Sequence, residues 1–241
     1  PNFKGLSFET ISSTGPNSAI IHYSPPVEGS AIINPEKIYL CDSGSQFLNG
    51  TTDTTRTLHF STPTEEEVKN YTLVLKGHIA LTRLVIPNNK VTGFQIDCIA
   101  RQFLWSEGLD YGHGTGHGVD SYGPVHSAGV GIGFRPYCNE NTIKKGHLVS
   151  DEPGYYKPGE YGIRIENMVY LKDKKGLNGF IEFETTTMVP YCKKLINVEM
   201  LSEDEKKWIN EYHSKIFKLY DGRFEKKSWE HQWLKRETSI L

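Results

Sequence analysis

Four acidic residues stand in two similar settings. Asp42 and Asp53 lie eleven positions apart around Asn49-Gly50, and Glu152 and Glu166 lie fourteen apart around Lys157-Pro158-Gly159. Both segments are turn formers. Residues equidistant from a hairpin turn face each other across its strands, so each pair can place two carboxylates on one face. Glu166 sits among Ile163, Ile165, Met168 and Val169. A carboxylate in such surroundings is costly unless a cation compensates it. Arg56 and Arg164 could do so as salt bridges; two divalent ions would compensate all four acids at once. Oxygen donors suit Mn2+, Mg2+ or Ca2+, and one added imidazole shifts the preference toward Mn2+, Co2+, Fe2+ or Zn2+. The imidazoles lie in Gly112-His113-Gly114-Thr115-Gly116-His117-Gly118. Glycine flanks His113 and His117 on both sides, which predicts a tight loop and not a helix. His126 follows nine residues after His117, and His22 closes the first expected strand. His59, His78, His147, His213 and His231 are read as structural. Nucleophile-elbow and phosphate-loop motifs are missing, and no cysteine adjoins the histidines in sequence.

The elements that must position these groups follow from periodicity and caps. Residues 18–23 (SAIIHY), 37–41 and 56–60 predict strands. Thr62 as cap, Pro63 at the first helical position and Glu65 predict a helix reaching about Leu84. Ile96, Ile99, Ala100 and Phe103 fall at helical spacing, predicting a helix over 92–107 that Gly108 ends. From Gly108 to Gly133 the chain carries nine glycines and three histidines, which reads as a loop approaching something closely. Strands are expected over 147–150, 163–171, 180–183 and 195–198. Ser202 with Glu205 marks another helix start, and a last helix carries Trp229 and Trp233, both read as packing residues. The two halves echo each other weakly, each with a hairpin bearing acids.

Composition excludes several classes. Among 241 residues, 27 Lys and Arg against 29 Asp and Glu give a net charge of −2, which disfavours bulk nucleic-acid binding. With 37% hydrophobic and 12% aromatic residues, disorder throughout is not expected. No run of apolar residues is long enough to span a membrane. Cys41, Cys98, Cys138 and Cys192 show no metal-knuckle spacing and read as free thiols of a reducing compartment. The sequons at Asn49 and Asn70 are read as chance matches. Pro1 reads as a processed, cleaved or subcloned start without a signal-peptide pattern, and the C-terminus carries no anchor signal. The expected location is cytoplasmic.

Four motifs in order carry a resemblance: Asp42-Ser43-Gly44 with Thr52-Asp53-Thr54-Thr55-Arg56-Thr57, then Gly112 to Gly118, then Asp151-Glu152-Pro153-Gly154-Tyr155-Tyr156, then Gly162-Ile163-Arg164-Ile165-Glu166-Asn167. The chain resembles the M24 metallopeptidases, and within them aminopeptidase P, the Xaa-Pro aminopeptidases. Both ends, Gly5 to Asn17 and Trp233 to Thr238, resemble that subfamily too. The resemblance implies an α/β (α+β) pita-bread fold over 1–241, two pseudo-symmetric halves around a dinuclear site, with 201–241 as a C-terminal helical extension. It implies metal ligands Asp42, Asp53, His117, Glu152 and Glu166, with Asp53 and Glu166 bridging two ions, most often Mn2+, with Co2+ or Zn2+ as alternatives. A hydroxide bridging the ions would attack the bond before proline. Glu152 would be the general base, His126 would bind the substrate carbonyl, and His22 and His113 would line the site, shuttling protons or shaping the proline pocket. The resemblance further implies a homodimer and a chain lacking its first helices and upstream N-terminal domains, with apolar surface uncovered over 3–8. The rival activity is prolidase, which cleaves Xaa-Pro dipeptides. The rival of another class is a pita-bread binding module without metal; a Ca2+-binding structural protein is disfavoured by the imidazole.

Overall fold

A computed structural model of the chain describes residues 2–136 and 141–241. Strand β1 (Phe3–Leu6) pairs with β4 (Ser45–Phe47), which pairs in turn with β5 (Gly50–Thr51). A separate antiparallel sheet joins β2 (Ile11–Thr14), β3 (Tyr39–Ser43) and β6 (Thr54–Leu58). Helix α1 (Glu65–Thr82) follows, then β7 (Val85–Pro87), β8 (Val91–Thr92) and helix α2 (Gly93–Trp105). Strands β9 (Gly116–Gly118), β10 (Ser127–Ile132), β11 (Thr142–Ile143) and β12 (Leu148–Asp151) come next. They are followed by β13 (Gly154–Lys157), β14 (Tyr161–Arg164), β15 (Asn167–Asp173) and β16 (Phe180–Thr185). The largest sheet has the order β10-β9-β12-β15-β16-β7. Helices α3 (Glu203–Tyr220) and α4 (Trp229–Glu237) close the chain.

Helix α1 is the shared wall of two cores. Val74, Leu75 and Ile79 pack with Ile163, Tyr191, Leu195, Ile209 and Ile216. Leu81 joins Ile96, Ala100, Ile132, Val149 and Val169 on the six-stranded sheet. Burial on several sides explains why α1 shows no clean amphipathic stripe. It approaches α2 closely at Gly77, where a Cβ would stand 2.0 Å from the Ala100 carbonyl oxygen.

Several sequence expectations need correction. Residues 18–23 form no strand. Gly15, at φ +54°, and Pro16 start a 3-10 turn over Gly15–Ala19, and the Ser18 hydroxyl ties it down by donating to the Gly15 carbonyl. The α1 cap lies two residues later than expected: the Thr64 side chain accepts from Glu67 N–H, and Glu67 accepts from Thr64 N–H. Both Thr-x-x-Glu registers fit the pattern; Pro63 stands ahead of the cap, outside the helix. The helix ends at Thr82 because Val85 and Ile86 enter the large sheet beside β16. The expected strand over 163–171 breaks at Ile165-Glu166, where the chain leaves one sheet for another and Glu166 N–H donates to the Thr55 carbonyl. Residues 195–198 form 3-10 turns (Lys193–Leu195 and Val198–Met200) in place of a strand. The glycine-rich stretch is not wholly loop, since it supplies β9 and β10. Trp229 is 74% exposed and packs little, whereas Trp233 lies against the core. Phe3 and Leu6 are exposed, as the 3–8 expectation requires. Cys41, Cys98 and Cys192 are free thiols; Cys138 lies outside the described residues.

Candidate metal centre

Asp42 and Asp53 do not share one simple hairpin. The β4–β5 hairpin, whose connection is Leu48-Asn49 with Gly50 opening the return strand, belongs to another sheet. They still share a face, because Asp42 pairs with Thr55 across β3 and β6 and Asp53 lies two positions from Thr55. The β13–β14 ribbon obeys the midpoint argument directly. Gly154 pairs with Arg164 and Lys157 with Tyr161, a register whose continuation sets Glu152 opposite Glu166.

The histidine loop is held from behind by α2. The buried Arg101 guanidinium donates to Asp97 Oδ2 (2.7 Å) and to the carbonyls of Tyr111 (2.6 Å) and His113 (2.7 Å). Thr115 donates to the other Asp97 oxygen. Gly116 permits contact with β12, since a Cβ there would lie 2.0 Å from the Ser150 carbonyl oxygen. His117 N–H donates to Ser150 Oγ, which itself donates to Glu152 Oε1 (3.0 Å). His117 Nδ1 faces the Gly118 carbonyl at 3.1 Å, which favours a proton there. Nε2 then points at the acids, 3.2 Å from Glu152 and 3.4 Å from Asp53.

The five expected ligands converge. Donor atoms lie within 4.8 Å of one another in three overlapping sets: Asp42, Asp53 and Glu166; His117, Glu152 and Glu166; and Asp53, His117 and His126. Asp53, His117 and Glu166 each belong to two sets. Among the described residues, protein cations satisfy them only in part. Arg164 pairs with Asp42 Oδ2 at 2.7 Å, while Arg56 bonds only neutral acceptors. Asp42 Oδ1 and Glu166 Oε1 are buried without a hydrogen-bond partner among the described residues. Burial first, then repulsion from Asp53, Glu152 and Asp42, pushes the Glu166 carboxyl well above its usual range. Burial raises Asp42 to about 6 despite Arg164. Burial opposes ionisation of His117 and Glu152 alike. Hydrogen bonds between them, and from His117 to Asp53, reverse this: His117 rises to about 11 and Glu152 falls below the ordinary carboxylate range. Oxygen-rich donors, one inward nitrogen and two orphaned carboxylate oxygens fit a pair of divalent cations.

His22, His113 and His126 line the cavity above this cluster, which has a volume of about 840 Å³ and apolar walls from Phe8, Ile11, Ile21 and Val125. The ring centroid of His126 is 4.1 Å from that of His117. His113 is fixed at both nitrogens, to Gly114 O (2.7 Å) and Tyr156 OH (2.8 Å), and burial lowers it to about 4. The sequence reading missed Tyr156. Its hydroxyl accepts from Arg164 Nη1 at 2.8 Å, so His113, Tyr156, Arg164 and Asp42 form one hydrogen-bonded arc. Tyr156 and Arg164 are diagonal neighbours across β13–β14, each two positions from the other's cross-strand partner, a signal available in the turn spacing.

Residues 1–173 match the model of metallopeptidase family M24, and residues 179–241 match that of the C-terminal region of peptidase M24. The whole chain aligns at 59% identity with FRA1 of Saccharomyces cerevisiae, a protein provisionally named a Xaa-Pro aminopeptidase, and covers 32% of its length. An X-prolyl aminopeptidase structure from Caenorhabditis elegans, described as a cytosolic enzyme with a di-nuclear active site, matches all of this chain with TM-score 0.92 and 36% identity; the chain spans 40% of it. A Xaa-Pro dipeptidase structure from Bacillus anthracis matches 79% of this chain and 49% of its own, with TM-score 0.67 and 26% identity. By a family match over more than half its length, and by these likenesses of fold, the chain belongs to metallopeptidase family M24 and has the pita-bread fold.

Proposed function

We propose that this chain carries the catalytic centre of a metal-dependent aminopeptidase that releases the first residue from peptides with proline second. The observation that carries the reading is the convergence of Asp42, Asp53, His117, Glu152 and Glu166 with two buried carboxylate oxygens lacking partners. The names of the yeast and nematode relatives support the substrate class. These residues would hold two divalent cations, Mn2+ by preference and Co2+ or Zn2+ as alternatives. When bound, the pair supplies Lewis acidity and makes water acidic enough to act near neutral pH.

The chain's own groups then have separate tasks. Glu152 takes the proton of the attacking water, and that proton passes to the proline nitrogen as the C–N bond breaks. His126, exposed at the cavity edge, donates to the carbonyl oxygen. His113 is held neutral and fixed, which suits the wall of a proline pocket better than a proton shuttle. His22 closes the facing side. Proline lacks the amide N–H and has a fixed φ, so a shaped wall selects it. The names of the yeast and nematode relatives support the aminopeptidase reading over prolidase.

We place the chain in the cytoplasm, as a homodimer and with an upstream N-terminal portion of the same polypeptide as a further partner. The domain is taken as 1–241, with 201–241 as its helical extension. The test is turnover of an Xaa-Pro-peptide and of an Xaa-Pro dipeptide, with metal content measured on the same sample, after chelation and after adding Mn2+. Restored cleavage of the longer peptide is expected. Strict dipeptide cleavage would overturn the choice, and activity independent of metal would overturn the centre.

A further inference from the structure

Behind the acidic cluster lies a second buried polar group, used by none of the steps above. Strand alternation creates it. Glu152 and Glu166 project into the cavity, so their chain neighbours Asp151 and Asn167 project to the other side. Asp151 and Asn167 are also cross-strand partners of β12 and β15. Both are fully buried.

Hydrogen bonds join them in one direction. Arg56 Nη2 donates to Asn167 Oδ1 at 2.6 Å, and Asn167 Nδ2 donates to the Tyr191 hydroxyl at 2.9 Å. That hydroxyl lies 3.0 Å from His78 Nε2, which Asn167 Nδ2 also reaches directly at 3.0 Å, and His78 Nδ1 lies 3.2 Å from both the Asp151 main-chain carbonyl and Asp151 Oδ2. Thr82 Oγ1 donates to the same Asp151 oxygen at 2.7 Å. A proton on His78 Nδ1 lets every link be donor to acceptor. Arg56 anchors the row. Its Nη1 donates to the carbonyls of Thr55 (2.8 Å) and Glu166 (2.6 Å), and its remaining donors reach Val189 O, Pro190 O and Tyr212 OH. One guanidinium thus ties β6, the β14–β15 break, the segment before the first 3-10 turn after β16, and α3. Every one of these acceptors is neutral, so among the described residues its buried charge forms no ion pair.

We propose that the row Arg56–Asn167–Tyr191–His78–Asp151 is a positioning device that sets the spacing of Glu152 and Glu166 for the cation pair. None of its side chains contacts the cavity. They act through the main chain at residues 55, 151, 166 and 167, and a shift there carries over to the carboxylates one position away. The inference rests on the dinuclear reading.

The test uses the full-length polypeptide, Co2+ as probe, and Tyr191→Phe and Arg56→Lys as variants. Tyr191→Phe keeps the ring, stacked on Trp208, and removes only the hydroxyl at the centre of the row. Co2+ affinity is read by competition with a chelator, coordination by the visible absorption of bound Co2+, and apo-protein stability by thermal unfolding. A loss of affinity of about tenfold or more with an altered Co2+ spectrum is expected for Tyr191→Phe, the scale on which outer partners of metal ligands act. Arg56→Lys should lose more. A lower apo melting temperature with unchanged Co2+ affinity and spectrum would reduce the row to ordinary packing and overturn the inference alone. If Arg56→Lys fails to fold, Tyr191→Phe decides. Wild-type protein that binds no Co2+ overturns the dinuclear reading and this inference with it.

Discussion

Thr55 Oγ1 donates to Glu166 Oε2 at 2.8 Å across 111 residues of sequence. The hydroxyl also accepts from Arg164 Nε at 3.1 Å, so one threonine on β6 fixes an acid and a base from the other half. Thr55→Val keeps the shape and removes both bonds. Leaving a buried carboxylate oxygen unpaired costs about 1–3 kcal/mol. We expect a urea midpoint lowered accordingly and a peptidase kcat reduced by roughly ten- to hundredfold, with little change in KM.

Glu166→Gln separates the charge of the cluster from its packing. Glu166 carries the burden of burial and of three neighbouring acids. Removing its charge should leave the metal-free protein as stable as wild type or more so. Wild type should gain about 2.7 kcal/mol at a hundredfold excess of cation over its dissociation constant. The variant should gain far less. Thermal unfolding with chelator and with Mn2+ checks both halves of the prediction.

Glycine content in the histidine loop reflects close packing at Gly116 and Gly118 more than flexibility. Gly116→Ala would drive a Cβ into the Ser150 carbonyl, whereas Gly112→Ala meets nothing within 4 Å. Overpacking of this kind costs typically about 1–3 kcal/mol and sometimes more. Gly116→Ala should be destabilised and inactive, and Gly112→Ala close to wild type in both urea unfolding and turnover.

His213 gives a pH dependence remote from the cavity. Burial, with repulsion from Lys193 and Arg56, lowers it to about 3. Its Nε2 accepts from Tyr191 N–H at 3.2 Å, a bond that protonation would break. The folded state prefers the neutral ring, so the unfolded chain binds the proton first. The stability is complete above the unfolded value near 6.5 and drains away as pH falls toward 3. His213→Gln should flatten the slope of urea midpoint against pH between 6.5 and 4. A slope unchanged by the substitution would refute the assignment.

The acids were readable in sequence because turns impose arithmetic. The midpoint of Glu152 and Glu166 falls on Gly159, which adopts φ +76° in the turn, and the ribbon register follows from that. The same arithmetic reached the right face for Asp42 and Asp53 by an incomplete route, since nothing local shows that 45–51 leaves for another sheet. Helix caps were readable in kind and off by two residues where overlapping Thr-x-x-Glu patterns competed. Residues 18–23 and 195–198 misled because short apolar runs fit strand and turn equally well.

Local chemistry in the chain sufficed to pick out the four acids and the glycine-flanked histidines, because strand pairing and turn geometry act over a few residues; the family resemblance narrowed these to five donors. Which groups compensate those donors was settled only by folding. Arg164 reaches Asp42 and Tyr156, Arg56 turns away to neutral acceptors, and two carboxylate oxygens are left bare. The contacts of Arg164 with Asp42 and of Arg56 with Asn167 join residues more than a hundred positions apart, and a side chain's partner at that distance is fixed by the packing of sheets and helices, not by spacing along the chain.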